Sequence, residues 1–162
     1  MVIVGIGNTL LSDEGIGVHV IRRLRHLVPP RNGIELVDGG TLSFNLLPVI
    51  ESTACLIAVD AADFDMLPGS VRCLVGDDFD RFLGRARHTA HEVGLRELLD
   101  MARLGGHLPG RRALVGVQPQ RIDWGEEPTE LVAAAIPTAA DLALALADEW
   151  LRLASIAGVH DA

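Results

Sequence analysis

Apolar residues along this chain follow two alternating patterns. Unbroken runs rich in Val and Ile occupy residues 2–6, 34–37, 55–59 and 113–117, and runs of that kind suit strands buried on both faces of a parallel sheet. A shorter run at 70–75 is interrupted by Arg72, which predicts a strand near a sheet edge. Between the runs the period lengthens. Ile16, Val20, Leu24 and Leu27 recur at four, four and three residues, laying one stripe along a helix that must stop before Pro29 and Pro30. Residues 42–50 form a shorter helical candidate whose end is weakened by Pro48. Leu95, Leu98, Leu99 and Ala102 mark a helix over 91–104, closed by Gly105 and Gly106. A last helix rich in Ala and Leu is expected over 129–153, with a bend at Pro137. Strand and helix in regular alternation predict a three-layer α/β/α domain around a twisted, mostly parallel sheet of about five strands.

Composition narrows the picture. With 162 residues, about half of them apolar, the chain can bury one full core but not two; the expectation is a single domain over 1–156 with a frayed tail at 157–162. A formal charge of −8 argues against nucleic acid as a partner and favours a cation or a basic peptide. No apolar run approaches the ~20 residues that cross a bilayer, and the first residues lack a basic region followed by a cleavable apolar segment. A cytoplasmic protein without membrane insertion is expected. Cys55 and Cys73 sit in no CxxC or zinc-ligand spacing, so both are expected to be buried and reduced.

In a parallel α/β sheet, ligands collect at the carboxyl ends of the strands. The segments that matter are therefore 5–14, 38–41, 60–63 and 118–124. The first invites a dinucleotide reading, because Gly5 and Gly7 follow a strand and precede a helix, and Asp38 ends the next strand. Two features oppose it: the third glycine position of GxGxxG holds Leu10, and Asp13 and Glu14 stand at the helix start, where they would repel a pyrophosphate. Those acids also have a purely structural reading, since Ser12 is a good N-cap and first-turn acids are stabilised by the helix dipole. Asp60 has the matching alternative of capping its own turn, and His91 that of an exposed first-turn residue. Convergence shifts the balance. Glu14 and Asp60 both follow parallel strands, and the helix near His91 opens toward the same edge, so two carboxylates and an imidazole can form a three-ligand set for a borderline divalent ion. Ser12, Ser43, Ser52, Ser70 and Ser155 lack a GxSxG context, which leaves no activated nucleophile in view. In QPQRIDWG, after the last apolar strand, Trp124 offers an aromatic surface for an extended peptide or, as the commoner alternative, packs beneath its own loop.

Taken in order, GIGNTLLSDEGIGV near the start, LVDGGT at 36–41, LIAVDA at 56–61, TAHEVGL at 89–95 and LVGVQPQ at 114–120 resemble the motifs of the [NiFe]-hydrogenase maturation endopeptidases. The set spans nearly the whole chain in the family's order and spacing. The resemblance implies a cytoplasmic protease, aspartic-type or metal-assisted, that removes a C-terminal extension from the precursor of the hydrogenase large subunit once nickel has been inserted; either the ion polarises the scissile carbonyl and activates water, or a carboxylate acts as general base. It implies that Glu14, Asp60 and His91 engage the nickel, which the precursor supplies, and that Asp60 or Glu14 acts in catalysis. It further implies that Asp38, Gly39, Gly40 and Thr41 take part in substrate recognition. A lone domain acting on a large partner is expected to be a monomer. The competing classes are a binding module for the precursor and its metal that performs no hydrolysis, and the dinucleotide-binding protein weighed above.

Overall fold

The computed structural model describes residues 1–27, 33–41, 44–84 and 90–159, with backbone alone for 27, 90–93 and 157–159. Each Val- and Ile-rich run is a strand: β1 (Val2–Ile6), β2 (Glu35–Gly40), β3 (Cys55–Ala61), β4 (Val71–Val75) and β5 (Arg111–Val117). They form one sheet in the order β2-β1-β3-β5-β4. β1 pairs in parallel with β2 and β3, and β3 with β5; only β4 is antiparallel. The carboxyl ends of β1, β2, β3 and β5 thus share one edge of the sheet. As Arg72 implied, β4 lies at the side of the sheet, and the Arg72 guanidinium sits 5.8 Å from the Phe64 ring centroid.

Among the described residues, six α-helices cover the sheet: α1 (Ile16–Leu27), α2 (Leu47–Glu51), α3 (Asp77–Leu83), α4 (Ala90–Leu104), α5 (Glu130–Ala133) and α6 (Ile136–Val159). Strand side chains alternate between faces, and the core divides accordingly. Ile3, Ile57, Val59 and Val115 pack with Ile16, Val20 and Leu24 of α1 and the alanines of α6. Val2, Val4, Leu56, Ala58 and Leu114 pack with α2, α3 and α4. This is the expected three-layer arrangement.

Several local details differ from expectation. Helix α3 was not foreseen, because GDDFD reads as a polar turn; its three first-turn aspartates favour the positive helix end, while Phe79, Phe82 and Leu83 are buried. Pro48 lies in the first turn of α2, where its missing N–H costs nothing, and so does not weaken the end of that helix. Residues 42 and 43 of the expected 42–50 helix lie outside the described residues. Pro137 likewise occupies the second position of α6, so the last helical segment is broken between Ala133 and Ile136, not bent at Pro137. Its far end is helical through Val159, past the start of the expected tail at 157. By length and composition, the segment from Glu130 to Ile156 is apolar enough to cross a membrane, contrary to the sequence reading; here Ala139, Ala140, Ala143, Ala147 and Trp150 pack into the core instead. Cys55 and Cys73 are free but half-buried, not fully buried.

At the opposite edge from the strand carboxyl ends, Arg112 clamps α3 to β5. Its Nε donates to Asp80 Oδ1 at 2.8 Å, and its Nη2 pairs with Oδ2. Arg103 of α4 approaches the same carboxylate at 3.6 Å.

Candidate active site

The chain leaves β1 at Ile6, turns at Gly7 (φ +142°) and re-enters as a single 3₁₀ turn, Ser12–Gly15, that leads into α1. Only glycine permits this path. A β-carbon on Gly7 would lie 2.0 Å from the Glu14 carbonyl oxygen, and one on Gly17 would lie 2.1 Å from the Val59 carbonyl oxygen and 2.3 Å from that of Ile6. The glycine-rich opening is therefore a close-packing device that seats the start of α1 on the ends of β1 and β3. Gly7 lies against the backbone of Glu14 and Gly15, so the loop is filled by its own helix start.

Two of the three expected ligand residues are buried at this end of the sheet. Glu14 is 8% exposed and Asp60 is 2% exposed. A first-turn acid serving only the helix dipole has no reason to be buried; Glu14 is. Asp60, the last but one residue of β3, stands beside Gly116 of β5 and lies in phase with Leu56 and Ala58, on the sheet face that α4 covers. One of its oxygens, Oδ1, accepts from the Ala61 N–H at 2.8 Å, which fixes the carboxylate against its own strand end. Helix α4 leads through a short loop to the start of β5 at the far edge, so it runs antiparallel to the strand and its first turn, which contains His91, lies toward the edge holding Asp60. The His91 side chain lies outside the described residues, and among those described no three His, Cys, Asp or Glu side chains gather as a metal site.

The 38–41 loop, where substrate recognition was expected, reaches the same edge. Ile6 of β1 is in register with Gly40, and Gly7 N–H donates to the Gly40 carbonyl at 2.7 Å. Gly40 takes φ +50°, and Asp38 Oδ1 accepts from its N–H at 3.0 Å. Asp38 and Thr41 are exposed, while Gly39 and Gly40 are half-buried.

Support for this edge comes from residues that sequence reasoning assigned other roles or passed over. Asp13, fully buried, is a clamp rather than a simple dipole acid. Its Oδ2 accepts from the backbone N–H groups of Gln120 and Arg121, each at 2.9 Å, and from Thr129 Oγ1 at 3.0 Å, while Oδ1 accepts from Thr129 N–H at 2.6 Å. Ser12 is not the N-cap; at φ 49° its hydroxyl donates to the Asp123 carbonyl at 3.0 Å. Gln118 holds the loop after β3, its Oε1 accepting from Phe64 N–H at 2.7 Å and its Nε2 donating to Asp63 at 3.2 Å. Gly116 leaves room for the Phe64 ring, which a β-carbon there would meet at 2.4 Å. Trp124 is 82% exposed, so the reading that packs it beneath its own loop is overturned. On α1, burial and then Arg22 push the His19 imidazole below its usual range, against a smaller opposing pull from Glu127.

Chemically, two buried carboxylates at an open sheet edge offset a divalent cation's charge, and either can take a proton from water. A mostly parallel α/β domain with two buried carboxylates at the carboxyl ends of its strands is thus the class defined by fold and site. A family model for hydrogenase maturation proteases matches residues 18–146. The chain is 36% identical over 150 residues to the hydrogenase expression/formation protein HupM of Azotobacter chroococcum mcd 1, covering 92% of this chain and 72% of that protein. It is 30% identical over 165 residues to the hydrogenase 2 maturation protease of Escherichia coli K12, covering 99% of each. The solved structure of the hydrogenase maturating endopeptidase HybD from E. coli superposes with a TM-score of 0.85, at 30% identity and 91% coverage of both chains. The chain belongs to the hydrogenase maturation protease family, a family of peptidases.

Proposed function

We propose that this protein is the endopeptidase that removes the C-terminal extension of a nickel-loaded [NiFe]-hydrogenase large-subunit precursor. The observation that carries the reading is the burial of Glu14 and Asp60 at one sheet edge in a member of this peptidase family. Nickel enters as part of the substrate. Glu14, Asp60 and His91 engage it, so that a loaded precursor presents its scissile bond beside the carboxylates and an unloaded one does not. Asp60 or Glu14 serves as general base on the attacking water, the aspartic-type role. Asp38, Gly39, Gly40 and Thr41 contact the substrate from the adjoining loop. The protein acts as a monomer in the cytoplasm, without membrane insertion and without nucleic acid.

The test is to mix the purified protein with nickel-loaded and nickel-free precursor and follow loss of a C-terminal peptide by mass spectrometry. Cleavage of the loaded form alone is expected. Equal cleavage of both removes the metal from recognition, and docking without any mass change leaves a binding module in place of an enzyme.

A further inference from the structure

The least expected surface feature is a large aromatic ring held in solvent on a braced loop. Trp124 is 82% exposed and Leu10 is 50% exposed. The two sit on paired backbone. Leu11 and Gly125 form a parallel β-bridge, Gly125 N–H donates to the Leu10 carbonyl at 3.0 Å, and Ser12 N–H donates to the Gly125 carbonyl at 2.7 Å. Leu10, in a turn, and Trp124, in a bend, each immediately precede one partner of this bridge, so the bridge brings the backbone of the two exposed residues side by side. The loop carrying the Trp is also anchored by Asp13 at both ends, through Gln120 and Arg121 before it and Thr129 after it.

Ordering an exposed Trp this firmly brings the free protein no burial in return. It does reduce the entropic cost of binding a partner, and aromatic anchors dominate the energetics of protein interfaces. The flanking charges specify the partner's chemistry. Asp123, Glu126 and Glu127 are exposed on the same loop within three residues of Trp124, and Arg121 pairs with Asp123 at 3.2 Å. The platform lies four residues before Glu14, on the same loop.

We propose that Leu10 and Trp124 form a docking platform for the protein substrate itself, receiving an extended segment that carries an apolar side chain flanked by basic residues. This rests on the processing function argued above. The platform contributes binding and not bond cleavage: it seats the precursor so that its scissile region extends from the platform toward Glu14 and Asp60.

The experiment uses the full-length protein and the nickel-loaded precursor. Trp124→Ala and Leu10→Ala are each expected to raise KM about tenfold or more, as for central interface anchors, with kcat at saturation unchanged; Trp124→Phe restores most of the affinity. The paired variant Glu126→Gln, Glu127→Gln is expected to raise KM severalfold at low salt and to flatten its dependence on ionic strength. Incorporating 5-fluorotryptophan gives resonances for the chain's two tryptophans, assigned with Trp124→Phe. Adding unlabelled precursor should shift or broaden that of Trp124 and leave that of the buried Trp150 in place. An unmoved Trp124 resonance, or a wild-type KM in Trp124→Ala while the parent enzyme cuts normally, overturns the platform and spares the processing function. A wild-type protein that neither binds nor cuts the precursor overturns both. A Trp124 shift that grows with protein concentration in the absence of precursor assigns the surface to self-association and overturns the proposal.

Discussion

The α-carbon of Gly17 lies so close to the Val59 carbonyl oxygen that a β-carbon would approach it to 2.1 Å, and the neighbouring Ile6 carbonyl to 2.3 Å. Both obstacles are backbone atoms of the sheet and neither can rotate away. One residue beyond Val59 is Asp60, and one helical turn before Gly17 is Glu14. A single glycine therefore sets how closely the start of α1, with the preceding turn that carries Glu14, seats on the strand that carries Asp60.

Gly17→Ala tests that relationship. Within a helix, glycine to alanine normally gains up to about 1 kcal/mol. Here steric conflict reverses the sign, and overpacking of this kind costs about 1–3 kcal/mol. The expected outcome is a lower denaturation midpoint, together with a loss of precursor cleavage larger than the stability change explains, because α1 must lift from the sheet and take Glu14 with it. A stabilised, fully active variant would contradict the packing.

Asp13→Asn probes the clamp. The aspartate is fully buried and accepts four hydrogen bonds, three of them from backbone N–H groups. An amide in its place turns one acceptor into a donor facing donors. Charge-assisted hydrogen bonds contribute about 1.5–3 kcal/mol each, and an unsatisfied buried donor costs about 1–3 kcal/mol. We expect a loss of about 2–4 kcal/mol on those grounds in urea denaturation, and faster amide exchange across residues 118–129.

How much of this was legible in the sequence depended on the range of the interaction. The five strands and α1 announced themselves because continuous Val and Ile runs and a four-four-three stripe are local patterns. The edge position of β4 followed from one charged residue, Arg72. Helix α3 was missed because three aspartates outweigh Phe79 and Phe82 in any window read without the sheet beneath it. The clamp made by Asp13 was invisible for another reason: the reading that set Glu14 apart left Asp13 as a helix-dipole acid, and its partners Thr129 and Gln120 are more than a hundred residues away. Trp124 misled because loop tryptophans usually find cover, and its exposure depends on a bridge between Leu11 and Gly125 that no periodicity encodes.

The carboxylates should be separable from the fold. Asp60→Asn and Glu14→Gln preserve shape and remove charge. Each is expected to lower kcat for precursor cleavage by about 10²–10⁴, the span of a lost general base, with a melting temperature near that of the parent. The residue whose variant loses turnover yet still retains the loaded precursor in a pull-down is the general base; the one that loses both engages the metal. His91→Ala is expected in the second class. Wild-type turnover in any of the three removes that residue from the site.

Stability should depend on pH through His19. Burial, reinforced by Arg22, lowers its folded-state pKa relative to the unfolded chain. Above the ordinary histidine value of about 6.5 neither state holds the proton, and His19 contributes nothing to the pH dependence. As pH falls below that value the unfolded chain binds the proton first, so folding stability declines until the folded-state pKa is passed. The Nε2 atom is buried without a hydrogen-bond partner among the described residues, so no acceptor there rewards protonation. His19→Gln removes the titration and should flatten the stability profile between about pH 7 and 5, measured as urea midpoints across that range. Asp80 acts in a different window. Its hydrogen bonds to Arg112 hold its carboxyl below the usual carboxylate range, so its stabilisation is present at neutral pH and lost only as pH falls below about 4. A wild-type profile that is level from pH 7 to 5, or one whose slope survives in His19→Gln, would show that the imidazole is solvated and titrates as it does in the unfolded chain.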